Sequence, residues 1–343
     1  IVHDAGNNAF VQFEVPTDKI KNGNAVIAVM KNGTVVWSWH LWFIHDDALN
    51  TTACWNYQNK RYDFSEESLG MKYTAWIGTS YTSPRSIKVK VRQTKGQISP
   101  ATRTEAVLTI TQNPGNVRQG STTFYQFGRK DAMPSIDAVS GGSFNKNGGD
   151  NMSIQNGIQH PETFYRDGGS WYYGYNQYNL WSMDNTTTGF NDDAVVKTIY
   201  DPCPAGFHMP ASNAFTGFTT DGRNNGPMNV SGGWYNGWNF NNKISSPDAT
   251  VYFPASDWRE RIGSLENEGW GWYWSAVPYD TRHGSLMTFY SFGVSPQYNE
   301  SRAYGFSVRP VAEMRPKEKP KVPGSTEEGW EDGGDLDGGE YEL

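Results

Sequence analysis

The sequence is poor in charge, in cysteine and in long apolar runs. Charged residues make up 19% of the 343 residues, and the only two cysteines are Cys54 and Cys203. No run approaches about 18 consecutive apolar residues, so the sequence predicts no membrane-spanning helix. The cysteines form no CxxC pair, and the sequence leaves two states open, a disulfide or two buried free thiols.

Strong helix formers and excess basic charge are also lacking. Ala, Leu, Glu and Lys are scarce, which excludes an all-α bundle. The net charge is −7, from 29 basic and 36 acidic residues, and this balance disfavours nucleic acid and anionic membranes as partners. No repeat of about 20–50 residues is visible, which disfavours solenoids and propellers. The sequence starts at Ile1 without an initiator methionine or signal peptide, so we expect a mature or excised polypeptide.

Aromatic residues and glycine take the place of the missing types. The chain has 14 Trp, 19 Tyr, 17 Phe and 37 Gly. A disordered chain would be poor in aromatics, and each buried ring removes roughly 150–250 Å² from water, so we expect a sizeable core. The composition predicts a loop-rich α+β fold that is mostly β, with few short helices. It is also typical of secreted bacterial surface proteins.

Alternation of apolar and polar residues predicts hairpins and short strands. Asn32-Gly33 between two apolar runs is a strong hairpin signal, and Ile87, Val89 and Val91 predict a half-buried strand that pairs with 107–111. Further strands are predicted at 8–16, 251–253, 272–277, 285–292 and 304–311, and short helices at 194–200 and 212–216.

Six motifs in order resemble those of one known family. They are WSWHLW (37–42), YQFGRKD (125–131), YDPCPAGFHMP (200–210), FPA (253–255), GWYWS (271–275) and GFSVRPV (305–311). Together, across residues 8–312, they resemble the major paralogous domain, abbreviated FISUMP. The resemblance implies a C-type-lectin-like fold, related in topology to the formylglycine-generating enzyme. It also implies a place among lipoproteins and fimbrial tip or adhesin-like proteins on the outer surface of Bacteroides-type bacteria.

The expected domain organisation follows from this resemblance and from a change in composition after Val311. Residues 1–314 are expected to form one lectin-like domain, in which 72–115 is an inserted β-hairpin region. Residues 315–343 form a Pro-rich linker and an acidic, Gly-rich tail. The tail resembles the C-terminal ends of fimbrillin-type pilins, which implies a structural alternative: a pilus subunit that joins its neighbours through 323–343.

Enzymatic function is disfavoured by the sequence. Formylglycine-generating relatives use paired cysteines near the C-terminal end, whereas here no cysteine follows Cys203. A Cys203–His208 dyad is conceivable from the spacing, but a packed or exposed histidine is the favoured interpretation. A carboxylate pair for glycoside hydrolysis would come from the acidic residues Asp257, Glu260, Glu266 and Glu268, for which solvated loop positions are favoured.

Two segments, 168–178 and 232–242, combine aromatic rings with amides and glycine. Such a mixture suits a neutral glycan, because rings stack on sugar C–H faces and amides bind hydroxyls. The competing interpretation is that these rings fill the core. We predict that Trp234 and Trp238 are the most exposed rings and that the ligand is a glycan or a host or matrix protein. The candidate residues are Trp171, Tyr172, Tyr173, Trp234, Tyr235, Asn236, Trp238 and Asn239.

Other motifs are interpreted as structural. No cofactor or metal is expected, although Asp184, Asp192 and Asp193 form an oxygen-rich loop of the type that calcium accepts. Arg129 and Lys130 lie beside Asp131 in sequence, which predicts a structural ion pair, and a functional basic site is the less favoured interpretation. The Pro-rich turn at 202–207 is interpreted as scaffold, and the three tryptophans of 37–42 as core.

Overall fold

A computed structural model gives the architecture. It describes residues 2–3, 10–73, 84–92, 105–112, 120–139, 142–150, 152–168, 180–183 and 187–313. The candidate residues Trp171, Tyr172, Tyr173 and Asp184 and the tail at 315–343 lie outside the described residues. The fold is mostly β, as predicted.

Short strands dominate the part of the chain that the structure describes. One α-helix, α1, covers Ile154–Gln159, and 3₁₀ helices cover Thr17–Lys19, Asp46–Leu49 and Ser212–Phe218. The strands are β1 Val2–His3, β2 Phe10–Val11, β3 Gly23–Lys31, β4 Thr34–Phe43, β5 Thr51–Trp55, β6 Arg61–Ser65, β7 Lys72–Tyr73, β8 Arg85–Arg92, β9 Glu105–Gln112, β10 Gly120–Ser121, β11 Tyr125–Gln126, β12 Ala138–Val139, β13 Gly142–Ser143, β14 Phe207–His208, β15 Val230–Ser231, β16 Gly237–Asn241, β17 Thr250–Pro254, β18 Trp258–Arg259, β19 Leu265–Glu266, β20 Gly271–Pro278, β21 His283–Tyr290, β22 Gly293–Ser301, β23 Gly305–Phe306 and β24 Val311–Ala312.

The chain divides into two compact units. The larger comprises 1–72 and 121–343, and the smaller is Tyr73–Gly120. In the larger unit the sheets run β11-β23-β18-β19, β14-β24-β6-β5, β15-β16-β17 and β20-β21-β22. The smaller unit contains the predicted hairpin, in which β8 and β9 pair antiparallel with Ile87 opposite Ile110.

The antiparallel sheet β20-β21-β22 separates two aromatic cores of the larger unit. Side chains alternate between its faces: Tyr273 and Phe289 pack into one core, whereas Trp274 and Leu286 pack into the other. The first core is a cluster of phenylalanines around Phe253. Aromatic rings therefore fill the positions that aliphatic side chains fill in most cores, which accounts for the high aromatic content.

The hairpin β3–β4 forms at the predicted Asn-Gly turn. Asn32 and Gly33 both have positive φ, 52° and 81°, which a two-residue hairpin turn of this type requires. The tryptophans of this hairpin were predicted to be core, which is wrong for Trp39, since 36% of it is exposed. Trp37 and Trp42 are half-buried, because a two-stranded ribbon has only one partner layer to pack against.

Two local predictions are wrong because tertiary pairing overrides local patterns. In the segment 8–16 only β2 is a strand. The segment 194–200 is not helical; instead Lys197 makes an isolated bridge with Ser182, and Met183 donates its backbone N–H to the Val196 carbonyl at 2.9 Å. The helix predicted at 212–216 exists as a 3₁₀ helix that extends to Phe218.

The predicted ion pair of Arg129 and Asp131 is confirmed. Both side chains are almost fully buried, and Nη2 lies 2.9 Å from Oδ2. The guanidinium also donates to Gln126 Oε1 at 3.0 Å and to the Thr163 and His160 carbonyls at 2.7 and 3.3 Å. The pair thus ties together two segments that are distant in sequence, 126–131 and 160–163.

His40 joins the β3–β4 hairpin to the core as a neutral ring. Its Nε2 lies 2.8 Å from Asn24 Oδ1, and its Nδ1 lies 3.0 Å from the Tyr125 hydroxyl. The amide oxygen can only accept, so Nε2 donates to it, and Nδ1 accepts from Tyr125. Burial lowers the pKa of His40 to about 4.

This pKa makes a prediction for the pH dependence of stability. The unfolded chain binds a proton at His40 near pH 6.5, but the folded protein does so only near 4, so stability falls as the pH drops from about 6.5 to 4. We expect wild type to lose about 1–2 kcal/mol more unfolding free energy over this range than His40→Gln, which does not titrate. Urea denaturation at several pH values measures the difference. Equal pH profiles for the two proteins would contradict the prediction.

Candidate functional site

Six aromatic residues of β20, β21, β22, β23 and their adjoining loops form a connected series of ring contacts, here called the aromatic ledge. Four successive stacked contacts build it: Tyr290 on Trp270 at 4.7 Å between ring centroids, Trp270 on Trp272 at 6.0 Å, Trp272 on Phe306 at 4.9 Å, and Phe306 on Tyr304 at 5.3 Å. The interplanar angles of these contacts are only 16–23°. The sixth ring, Tyr298, stands edge-on to Trp272 at 5.8 Å.

The ledge is partly open to solvent. Phe306 is buried, whereas Trp270, Trp272, Tyr290 and Tyr304 are half-buried. Tyr298 is 38% exposed, which is unusual for a ring that contacts a tryptophan in a sheet. The arrangement offers aromatic surface on a rigid support, since the backbone beneath it is the sheet that divides the two cores.

Asp257 positions the loop that presents Trp270. Its Oδ1 accepts three backbone N–H groups, from Glu268 at 3.0 Å, Gly269 at 2.7 Å and Trp270 at 3.1 Å. Its own N–H donates to the Trp270 carbonyl at 2.8 Å. Burial raises the pKa of Asp257 in spite of these donors. The sequence offers Asp257, with Glu260, Glu266 and Glu268, as a source of hydrolytic carboxylates. In the structure the Asp257 carboxylate instead holds the 268–270 loop through backbone hydrogen bonds.

Two polar groups beside the ledge have no hydrogen-bond partner within the described structure: Trp272 Nε1 and Thr288 Oγ1. The two residues lie directly opposite each other on β20 and β21, so their side chains share one face of the sheet. Thr288 is only 5% exposed. Buried polar groups are normally paired with protein or with ordered water, so this face has an unused indole donor and an unused hydroxyl.

The end of the ledge at Tyr304 is acidic. Burial, together with the charges of Glu300 and Glu260, raises the pKa of Tyr304 to about 12. Burial also raises the pKa of Glu300, although Glu300 accepts a backbone N–H from Ser301 at 3.3 Å. The carboxylates therefore lie close enough to the ring to oppose its ionisation, and Tyr304 remains a neutral donor at physiological pH.

The predicted glycan loop at 234–239 is mostly structural. The prediction that Trp238 is exposed is wrong: it is 7% exposed, and its Nε1 donates to the Tyr290 carbonyl at 3.1 Å. Trp238 lies on β16, the central strand of its sheet, and its side chain packs in the first core. Trp234 is half-buried and packs edge-on against Trp238 at 5.5 Å. Asn239 is half-buried on β16.

Tyr235 and Asn236 are the two candidates of this loop that are exposed. Tyr235 is 53% exposed, and Asn236 has a positive φ of 51°. The carbonyls of both residues accept from the Tyr252 hydroxyl, at 2.7 and 3.1 Å. The loop is therefore fixed by its backbone, and the side chains of Tyr235 and Asn236 remain exposed.

The aspartates considered for calcium have hydrogen-bond roles. Asp192 Oδ1 accepts from Asn56 Nδ2 at 2.9 Å and from the Tyr62 hydroxyl at 2.5 Å. The Asp193 N–H donates to Asn191 Oδ1 at 3.0 Å in a local turn. Among the described residues no three His, Cys, Asp or Glu side chains are grouped as a metal site.

The two cysteines are free thiols in different cores, which resolves the alternatives that the sequence leaves open. Both are buried and unpaired. Burial raises the pKa of Cys54 to about 12 and that of Cys203 well above its ordinary value. Since the thiolate is the reactive form, both positions are poor nucleophiles. The His208 ring makes its hydrogen bond with the Met209 carbonyl at 2.7 Å.

The turn at 202–207 is scaffold, built around the buried carboxylate of Asp201. This carboxylate accepts from the backbone N–H groups of Cys203 and Met209, at 2.8 and 2.9 Å, and from Lys197 Nζ at 3.0 Å.

Comparison with known proteins gives no relative: no family model, curated protein or solved structure matches the chain. Within the described part of the chain, no helix is both long enough and apolar enough to cross a bilayer.

Proposed function

We propose that this protein is a non-enzymatic cell-surface adhesin or fimbrial tip protein that binds a glycan through the aromatic ledge. The observation that carries the proposal is the series of stacked rings, four of them half-buried and Tyr298 exposed. The sequence motifs that resemble the major paralogous domain support a lectin-like fold and a place on the outer surface of a Bacteroides-type bacterium. The ledge replaces the 234–239 loop as the principal candidate site.

The chemistry of the ledge suits a sugar better than an extended peptide. Aromatic surface stacks on the C–H faces of a pyranose, and the exposed edges of Trp270, Tyr290 and Tyr298 offer such surface. Carboxylates beside Tyr304, such as Glu260, can accept hydrogen bonds from sugar hydroxyls. A host or matrix protein remains the alternative ligand and would use the same rings as hydrophobic anchors.

A glycan array followed by calorimetry tests this proposal on three single-tyrosine variants. We expect Tyr298→Ala to weaken binding about tenfold, because it removes the most exposed ring of the ledge. Tyr235→Ala tests the loop predicted from the sequence, and Tyr57→Ala is the matched control, since Tyr57 is also 53% exposed but lies away from both segments in sequence. We expect both of these variants to bind like wild type.

Three results would contradict the proposal in different ways. Binding that Tyr235→Ala abolishes and Tyr298→Ala leaves intact would return the site to the 234–239 loop. Equal loss in Tyr57→Ala would show that the effect is not local. Absence of any glycan binding, with retention of a matrix protein that Tyr298→Ala weakens, would favour the protein-ligand alternative.

A further inference from the structure

The charge of the chain is divided unevenly between its two units. The smaller unit, Tyr73–Gly120, has one acidic residue, Glu105, and a net charge of +6, whereas the rest of the chain carries −13 within the total of −7. Such asymmetry is characteristic of proteins that bind an anionic partner through one region. The basic residues of this unit are Arg85, Lys88, Lys90, Arg92, Lys95, Arg103 and Arg118. The net charge of the whole chain, −7, argues against an anionic partner, but it hides the excess of basic residues in the smaller unit.

The β8–β9 hairpin of this unit has one apolar and one largely polar, basic face. The register places Ile87 opposite Ile110, Val89 opposite Leu108 and Val91 opposite Ala106, so these six side chains share a face. All six are exposed, with Ile87, Val91 and Leu108 about 60% exposed.

The opposite face carries the hairpin's lysines. Lys88, Lys90 and Arg92 alternate with the apolar residues of β8. Lys90 and Arg92 reach Glu105 on β9 at 2.5 and 3.4 Å. A two-stranded hairpin is only marginally stable in water, and this one exposes an apolar surface that gains stability when a non-aqueous partner covers it.

We propose that the apolar face of this hairpin seats on an anionic lipid surface. Ile, Val and Leu side chains would enter the boundary between headgroups and acyl chains, as the apolar face of an interfacial amphipathic segment does. Lys90 and Arg92 are paired with Glu105, so the contribution of charge falls to Lys88, whose long stem can extend past the edge of the two-stranded ribbon to bring its ammonium group to a lipid phosphate. The binding is peripheral and reversible, and it is independent of the ledge.

Two other partners fit the surface less well. Nucleic acid or a sulfated glycan would satisfy the basic residues but would leave the six apolar side chains in water. A second copy of the chain would cover the apolar face, but two units of +6 repel each other. An anionic lipid surface would both cover the six apolar side chains and attract the basic residues.

Co-sedimentation of the full chain with phosphatidylcholine vesicles, with and without phosphatidylglycerol, tests this proposal at low and high salt. We expect binding only to the vesicles that contain phosphatidylglycerol, and weaker binding at high salt. The double variant Ile87→Gln/Leu108→Gln should lower the partition coefficient at least about tenfold, and Lys88→Gln should lower it about fivefold. The matched control is Val36→Gln, an exposed apolar position, 44% exposed, on the other hairpin.

Four results would overturn the proposal. Equal binding to vesicles without phosphatidylglycerol would remove the role of charge. Loss of binding in Lys88→Gln with no effect of the apolar double variant would identify a polyanion site, which retention on heparin would report. Sedimentation equilibrium that shows an oligomer abolished by Ile87→Gln/Leu108→Gln would assign the face to a second copy. No vesicle binding at either salt concentration would reject the surface altogether.

Discussion

Replacing Arg129 by methionine is expected to lower the free energy of unfolding by about 3–5 kcal/mol. The guanidinium makes five hydrogen bonds, two to Asp131 and the others to Gln126, Thr163 and His160. Methionine has a similar length but no donor, so Gln126 and the Thr163 and His160 carbonyls lose a donor, and the buried Asp131 carboxylate keeps only Lys130, at 2.9 Å, as a cationic partner. Breaking one side of a buried ion pair costs more than the pair itself contributes, because the remaining charge is less well compensated in the core.

Urea denaturation followed by tryptophan fluorescence measures this effect. Arg261→Met is the matched control: Arg261 pairs with Asp167 at 3.1 Å, but its side chain is 54% exposed, so the expected loss is at most about 1 kcal/mol. Equal losses of unfolding free energy in the two variants would show that burial does not determine how much the Arg129 ion pair contributes to stability.

Replacing Phe253 by alanine is expected to cost about 3–5 kcal/mol. Its ring lies at the centre of the first core, 5.3 Å from Phe218, 5.7 Å from Phe240 and 5.0 Å from Tyr273. The Arg309 guanidinium lies over it at 4.5 Å. Truncation removes all these contacts at once and leaves a cavity that rigid neighbouring rings cannot close.

The same denaturation experiment tests this prediction, with Ile262→Ala as its control. Ile262 is 59% exposed, so its truncation should change the free energy of unfolding by no more than about 0.5 kcal/mol. A loss below about 1 kcal/mol for Phe253→Ala would mean that the aromatic core relaxes into the space.

The candidate site shows where reasoning from the sequence stops. The sequence shows Trp272 within the motif GWYWS (271–275), one of the six that resemble the major paralogous domain, and gives no sign of a binding surface there. The partner rings Tyr290, Tyr298 and Phe306 lie on other strands, and no spacing along the chain signals that they meet. The loop at 234–239 looked more exposed, because its glycines and asparagines are typical of loops, yet Trp238 lies on a central strand.

The basic hairpin shows a different limit. Its alternation of Ile87, Val89 and Val91 with lysines predicted a half-buried strand, and the strand is present. The prediction of half-burial is wrong, since every residue of β8 is exposed, and alternation along a strand does not show whether a neighbour covers its apolar face. The charge of the unit was readable from the sequence once the bounds of that unit were known.

By itself the sequence determined the mostly-β class, the Asn-Gly hairpin, the aromatic character of the core and the Arg129–Asp131 pair. Each of these follows from local chemistry: turn conformations, strand alternation, ring area, and opposite charges two residues apart. Only the tertiary structure decided that the thiols stay apart, that Trp238 is buried, and that rings from β20, β21, β22 and β23 form one ledge. These outcomes depend on which distant segments pair, because burial and stacking are properties of neighbours in space.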